Sequence, residues 1–172
     1  MANRIMTHLL CYDDHRSITE DIKKRFDDTS RYRVDSFLSF QDLIARSTIE
    51  KEVSSCKVAI ICVPDAPEQF EAIGQFTADI RKADPSTGMI LLGPPDKMDE
   101  LKKVVRFNID AYIPKNSNSV LRIHNTVKKL ISEYSISIYR RRRNLSFYIL
   151  FGFIILAAVL LLIARIRFPE YF

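Results

Sequence analysis

The residues that could do chemistry stand at the ends of short apolar runs. The run LLCY leads into two adjacent carboxylates, Asp13 and Asp14, and the run AYIP leads into Lys115. Carboxylate oxygens are the ligands that a hard divalent cation such as Mg²⁺ prefers, and a lysine ammonium can neutralise phosphoryl oxygens. The combination is typical of phosphoryl chemistry if the fold brings both runs to one edge.

The elements that would position these residues follow a regular order. Short apolar runs alternate with longer segments of helical period, and the alternation repeats five times, which predicts a parallel sheet covered by helices on both faces. In such a sheet a site lies outside the carboxyl ends of the strands. The predicted strands are 7–12, 33–38, 57–63, 88–92 and 111–114, and the predicted helices are 17–26, 40–48, 67–82, 98–107 and 119 onward.

The residues at the ends of the first and fifth strands resemble the receiver domain of two-component response regulators. The resemblance covers about residues 4–133 and includes the acidic pair, Tyr112 at the family's switch aromatic and Lys115 at its lysine. It implies a flavodoxin-like (βα)5 three-layer α/β domain with sheet order 2-1-3-4-5. It also implies that Asp13 and Asp14 help to hold Mg²⁺.

Several departures from the family pattern predict a degenerate site. The position of the phosphate-accepting aspartate falls on Cys62 or, with a slip of one residue, on Val63, and the position of the switch hydroxyl falls on Gly93. Asn116 stands where the family has a proline after its lysine, and proline precedes the lysine instead. We therefore expect no catalytic residue, no enzymatic activity and no functional cofactor.

For individual residues of this edge more than one role remains open. Asp65 lies three residues beyond Cys62 and is either a substitute acceptor or a solvated loop residue between prolines. Either one carboxylate of the acidic pair caps the first helix, or Asp13 and Asp14 bind Mg²⁺ weakly. Lys115 is expected to form an ion pair with them. Cys62 is expected to be a buried, apolar-like residue, with redox sensing as the alternative.

The positive charge of the chain lies outside the predicted domain. Residues 1–139 contain 20 Lys and Arg against 20 Asp and Glu, so the net charge of +5 comes from the arginines at 140–143, 165 and 167, offset by Glu170. A nucleic-acid-binding surface needs its basic patch on the folded domain. We therefore expect no nucleic-acid partner.

An apolar run near the end of the chain predicts a membrane span. Residues 147–164 carry no charge, and 13 of these 18 residues are Leu, Ile, Val or Phe. The predicted organisation is a receiver-like domain at 1–133, a juxtamembrane helix at 134–146, a transmembrane helix at 147–166 and a short tail at 167–172. The arginine run before the span predicts a single-pass protein of the cytoplasmic membrane, inserted like a tail anchor, with its domain in the cytoplasm.

The last predicted helix continues past the domain with an apolar stripe. Ile131, Tyr134 and Ile138 extend a spacing of three and four residues beyond the sheet that the helix would cover. We expect this stripe, together with the following helix up to residue 166, to bind a second copy or another integral membrane protein.

Three functions remain open from the sequence. The first is a membrane-anchored pseudo-receiver that binds proteins without phosphorylation, as an accessory subunit of a larger membrane complex. The second is a working receiver that uses Mg²⁺ and Asp65. The third is an unrelated flavodoxin-like enzyme or nucleotide binder, which the absence of a glycine-rich loop after the first strand disfavours.

Overall fold

The computed structural model describes residues 6–13, 17–28, 30–49, 55–105 and 109–167, and within these ranges it leaves out the side chains of 17, 48–49, 141–142, 144–145 and 161–167. Five parallel strands form one sheet in the order β2-β1-β3-β4-β5, which confirms the predicted order. The chain therefore has the α/β architecture expected from the alternating pattern.

The observed elements lie within a few residues of their predicted positions. The strands are β1 (Met6–Tyr12), β2 (Tyr32–Phe37), β3 (Ser55–Cys62), β4 (Gly88–Gly93) and β5 (Ala111–Pro114). The helices are α1 (Ser17–Arg25), α2 (Phe40–Ile49), α3 (Phe70–Ala83), α4 (Met98–Val104) and α5 (Ser119–Arg167). Short 3-10 turns, Pro67–Gln69 and Pro95–Lys97, precede α3 and α4, because proline favours the first position of a helical turn.

Side-chain alternation along the central strands builds a core on each face of the sheet. On one face Leu10, Ala59 and Leu91 pack in a buried cluster with Leu43 of α2 and Ile73 of α3. The intervening residues point to the opposite face, where α1 and α5 also supply buried apolar side chains. Every residue of β3 is buried, as expected for the middle strand of a sheet that is covered on both sides.

A buried ion pair holds the amino-terminal end of β3. The Lys57 ammonium donates to the carbonyl of Ser47 at 2.5 Å and lies 3.4 Å from the Asp84 carboxylate, with the Lys57 side chain only 6% exposed. Asp84 in turn accepts hydrogen bonds from the amide and hydroxyl of Ser86, at 3.0 and 2.6 Å. This lysine therefore ties α2 and the end of α3 to the central strand.

The chain divides into two compact units, Met1–Ser132 and Glu133–Phe172. The described part of the second unit is helical. Over the part of the chain that the structure describes, no helix has a stretch long and apolar enough to cross a membrane. The side chains of the last residues of the predicted span, 161–166, lie outside the described residues, as does the backbone of the predicted tail from 168 onward.

Candidate functional site

The sheet register brings the ends of the strands together at one edge. Cys62 pairs with Leu92, Gly93 pairs with Pro114, and the amide of Lys115 donates to the Gly93 carbonyl at 2.8 Å. Asp13 follows directly after β1 at the same edge. The positions that the sequence singled out therefore share one edge, apart from Asp14, which lies outside the described residues.

Asp13 is engaged by the start of α1. Its side chain is buried, with 6% of the residue exposed, and Oδ2 accepts hydrogen bonds from the amides of Ile18 and Thr19 at 3.1 and 3.3 Å. These amides belong to the first turn of the helix, whose donors have no intrahelical partner and favour negative charge. The geometry agrees with the capping role that the sequence proposed for one member of the acidic pair.

We expect Asp13 to contribute to stability through this cap and not through a cation. Asp13→Ala should lower the free energy of unfolding by about 1 kcal/mol, whereas Asp13→Asn keeps an acceptor and should lose much less. Thermal unfolding of the full chain in mild detergent measures both, with and without Mg²⁺. Stabilisation of the wild type by Mg²⁺ that Asp13→Asn abolishes would instead show that the carboxylate binds a cation.

Lys115 is directed at the end of β3. Its ammonium donates to the carbonyl of Val63 at 2.7 Å and lies 3.7 Å from Oδ1 of Asp65. Among the described residues its ion-pair partner is thus Asp65, whereas the sequence favoured the acidic pair. The lysine reaches the position where the family has its acceptor but contacts a backbone carbonyl there.

The thiol at the end of β3 is buried beside a second thiol. Cys62 and Cys11 are 6% and 1% exposed, and neither forms a disulfide. Burial, followed by the proximity of Cys62 and Asp13, raises the pKa of the Cys11 thiol far above its ordinary value. A thiol held neutral in this way is a poor nucleophile, so this part of the site is apolar in character.

A hydroxyl residue in place of Gly93 would require Leu101 to shift. A Cβ on Gly93 would lie 2.9 Å from Cδ2 of Leu101 and 3.6 Å from Cε of Met98. Leu101 is fully buried in the core, so it has little room to move. The packing of α4 against the end of β4 therefore occupies the space in which a serine or threonine would act.

Two proline-containing loops border this edge. Pro64 and Pro67 flank Asp65, and the buried Pro94 precedes Pro95 after β4. The ammonium of Lys97 crosses between the loops and donates to the carbonyl of Asp65 at 2.6 Å. Because proline fixes its own φ and restricts the preceding residue, both loops have few alternative conformations.

Tyr112, which occupies the position of the family's switch aromatic, faces the interior of the domain. Its hydroxyl donates to the carbonyl of Val105 at the end of α4, and its ring packs against the core cluster. Burial raises the pKa of Tyr112 above its ordinary value. The ring is therefore held in one position by a bond to the backbone.

Sequence reasoning missed the role of an aromatic group next to the acidic pair. Tyr12 stacks on Phe40 with ring centroids 4.3 Å apart, and the ring centroids of Phe40 and Phe76 are 4.1 Å apart. The sequence signal for this aromatic cluster was Tyr12, which stands directly before Asp13 at the end of the strand. The three rings join β1 to α2 and α3 and fix the end of β1.

The predicted partner-binding residues all lie on α5. Ile131, Tyr134 and Ile138 are each half-buried, whereas Ile136 is 48% exposed and Tyr139 68% exposed. Ile131 belongs to the first unit, which ends at Ser132, and Tyr134 and Ile138 belong to the second.

Comparison with known proteins identifies the fold alone. No protein-family model and no curated protein matches the sequence. Among solved structures, a response regulator receiver domain protein from Clostridium thermocellum superposes with a TM-score of 0.60 at 16% identity, covering 76% of this chain and 98% of that one.

Two further solved structures agree with this result. A response regulator from Thermotoga maritima has a TM-score of 0.58 at 19% identity, covering 74% of this chain and 98% of that one. A CheY-like receiver domain protein from Methanospirillum hungatei has a TM-score of 0.53 at 19% identity, with coverages of 76% and 98%. The chain therefore has the fold of response regulator receiver domains.

Proposed function

We propose that this chain is a membrane-anchored pseudo-receiver that acts as a protein-interaction module without being phosphorylated. The observation that carries the proposal is the contact of Lys115. Its ammonium donates to the Val63 carbonyl at 2.7 Å, at the end of a strand that supplies a thiol and not a carboxylate. A phosphoryl group has no acceptor at that position.

The other residues at the strand-end edge support a site that does not switch between two conformations. Asp13 is engaged as a helix cap, and Leu101 fills the space beside Gly93. A switch needs two arrangements of similar free energy that a ligand can bias. The proline-containing loops and the bond from Tyr112 to the carbonyl of Val105 favour one arrangement.

The anchor in this proposal rests on the apolar run at 147–164. In its described part, eleven large hydrophobic side chains from Phe147 to Leu160 are each at least 45% exposed. Exposed apolar surface of this extent is unfavourable in water and would be stabilised by hydrocarbon. The apolar run would cross the cytoplasmic membrane once. The arginines before it favour the orientation that leaves the domain in the cytoplasm.

The partner in this proposal is an integral membrane protein or a second copy of the chain. Ile131, Tyr134 and Ile138 lie on one side of α5, at the helical spacing of an interface with another helix. The domain would then be held in a membrane complex, to which it belongs as an accessory subunit.

One observation favours the alternative, a working receiver with Asp65 as its acceptor. The Asp65 carboxylate lies 3.7 Å from the Lys115 ammonium and its side chain is 79% exposed, so a phosphodonor could reach it. In this alternative Mg²⁺ would be held by Asp13 and its neighbour in sequence. Asp65 is displaced into the loop beyond β3, however, and Asp13 is turned toward α1.

Beryllium trifluoride, which binds an acceptor aspartate as a phosphoryl group does, separates the two functions. We expect Mg²⁺ and beryllium trifluoride to leave the unfolding temperature of the full chain in mild detergent unchanged, because a ligand stabilises only a protein that binds it. The same mixture without beryllium is the control. Stabilisation that is lost in Asp65→Asn would support the working receiver and contradict the pseudo-receiver.

A further inference from the structure

Four consecutive arginines, Arg140 to Arg143, occupy α5 directly before the apolar run. Successive residues of an α-helix are rotated by about 100°, so four in a row are distributed around the whole circumference. Their positions span only about 4.5 Å along the helix axis. We call these four residues the arginine collar, because their backbone positions are distributed around the helix and not along one face.

The sequence offers the collar no neighbouring negative charge. No Asp or Glu occurs between Glu133 and Glu170, and helical ion pairs form between residues three or four apart. Arg140 and Arg143 are both exposed. A helix that carries this much positive charge in so short a length favours an external anionic partner.

The axial position of the collar matches the headgroup layer of a bilayer. Arg143 precedes Phe147 by four residues, about 6 Å along a helix, and the headgroup layer of one leaflet is about 5 to 7 Å thick. Tyr139 and Tyr148, 68% and 77% exposed, lie on either side of the collar. Tyrosine is enriched in this layer because its ring is apolar and its hydroxyl is polar.

We propose that the arginine collar binds the headgroup phosphates of acidic phospholipids around the helix. The inference rests on the proposed membrane anchor. A guanidinium group can donate two parallel hydrogen bonds to phosphate oxygens, which suits this partner better than a point charge would. Lipids surround a helix that crosses the headgroup layer, so every position of the collar can be used. A nucleic acid would approach from one side and reach only part of it.

The test uses the full chain reconstituted into vesicles of equal parts phosphatidylglycerol and phosphatidylcholine. After extraction in mild detergent, mass spectrometry of the intact protein with its bound lipids measures the ratio of retained acidic to neutral lipid. Each arginine near an anionic surface contributes about fivefold to binding. Arg140→Gln with Arg143→Gln should therefore lower the acidic-to-neutral ratio by about 25-fold relative to the wild type.

A matched control removes two positive charges elsewhere. Lys102→Gln with Lys103→Gln changes two exposed lysines of α4 and should leave the ratio unchanged. Equal retention of both lipids by the wild type, or a ratio that the arginine pair does not affect, overturns the collar. Binding of a single-stranded oligonucleotide that outcompetes acidic vesicles through the same arginines also overturns it.

The same preparation separates this inference from the proposed function. The chain should resist an alkaline wash in vesicles of phosphatidylcholine alone, because the apolar run and not the collar supplies the anchor. Release by that wash from both kinds of vesicle contradicts the anchor and the collar together. Retention in both kinds without any lipid preference contradicts the collar alone.

Discussion

Replacing Ile131, Tyr134 and Ile138 together with serine is expected to release the chain from the membrane complex proposed above while the domain stays folded. Burial of such side chains stabilises an interface by about 1.5 to 3 kcal/mol each when complete, and by about half of that at a partly wet interface. The triple change should therefore weaken association by at least about 2 kcal/mol. The measurement is the mass of the complex after solubilisation of membranes in mild detergent.

The helix itself offers a matched pair of single substitutions as the control. Ile138→Ser and Ile136→Ser make the same chemical change two residues apart, on opposite sides of α5, and only Ile138→Ser should weaken the complex. Asp13→Ala with Lys115→Ala should leave the complex intact. If that double variant loses the partner and the triple variant retains it, binding occurs through the strand-end edge and the interface proposed for α5 is wrong.

Replacing Lys57 with methionine is expected to destabilise the domain by about 3 kcal/mol. The change leaves the Asp84 carboxylate, 19% exposed, without its ammonium partner, and leaves the carbonyl of Ser47 without a donor. Removing one partner of a buried ion pair typically costs about 3 to 5 kcal/mol. We expect a value at the lower end of this range, because Ser86 still donates two hydrogen bonds to Asp84. Chemical unfolding of the full chain in detergent measures the loss.

The control for Lys57 is the same change at an exposed pair. Lys82 lies 3.5 Å from Asp79, with side chains 80% and 54% exposed, and Lys82→Met should change the free energy of unfolding by less than about 0.5 kcal/mol. Equal losses for the two variants would show that the buried pair has no special role.

The destabilisation by Lys57→Met should also depend on pH. Burial alone would raise the pKa of Asp84, but the hydrogen bonds from Ser86 and the charge of Lys57 outweigh it and lower the pKa below the ordinary value of 3.8. The charged carboxylate therefore stabilises the fold above that value, and this contribution is lost as the pH falls through the lowered pKa. The difference between wild type and Lys57→Met should shrink in the same acidic range.

The fold could be predicted because its signals are local. β5 and the start of α5 were predicted at their observed positions, since a short apolar run ends at Pro114 and Ser119 begins the next helical pattern. The start of β3 was predicted two residues late. Ser55 and Cys56 give a weak strand signal by themselves, and pairing with Met6 and Thr7 brings them into the sheet.

The site could be predicted in position but not in its contacts. The sequence placed Lys115 at the right edge, yet its contact with Val63, 52 residues away, follows from loop geometry that no local pattern encodes. The Lys57 pair was missed for the same reason, because Asp84 joins it from the far end of α3. For Gly93 the sequence showed a missing hydroxyl, but only packing shows that Leu101 occupies the space.

The measurement that tests the pseudo-receiver most directly is the intact mass of the full chain after incubation with acetyl phosphate and Mg²⁺. We expect an unchanged mass in the wild type and in Asp65→Ala, because β3 ends without an acceptor carboxylate and Lys115 is bonded to a backbone carbonyl. A receiver domain with an intact acceptor serves as the positive control for the phosphodonor. A stoichiometric phosphoryl adduct on the wild type would contradict the claim, and its loss in Asp65→Ala would identify that residue as the acceptor.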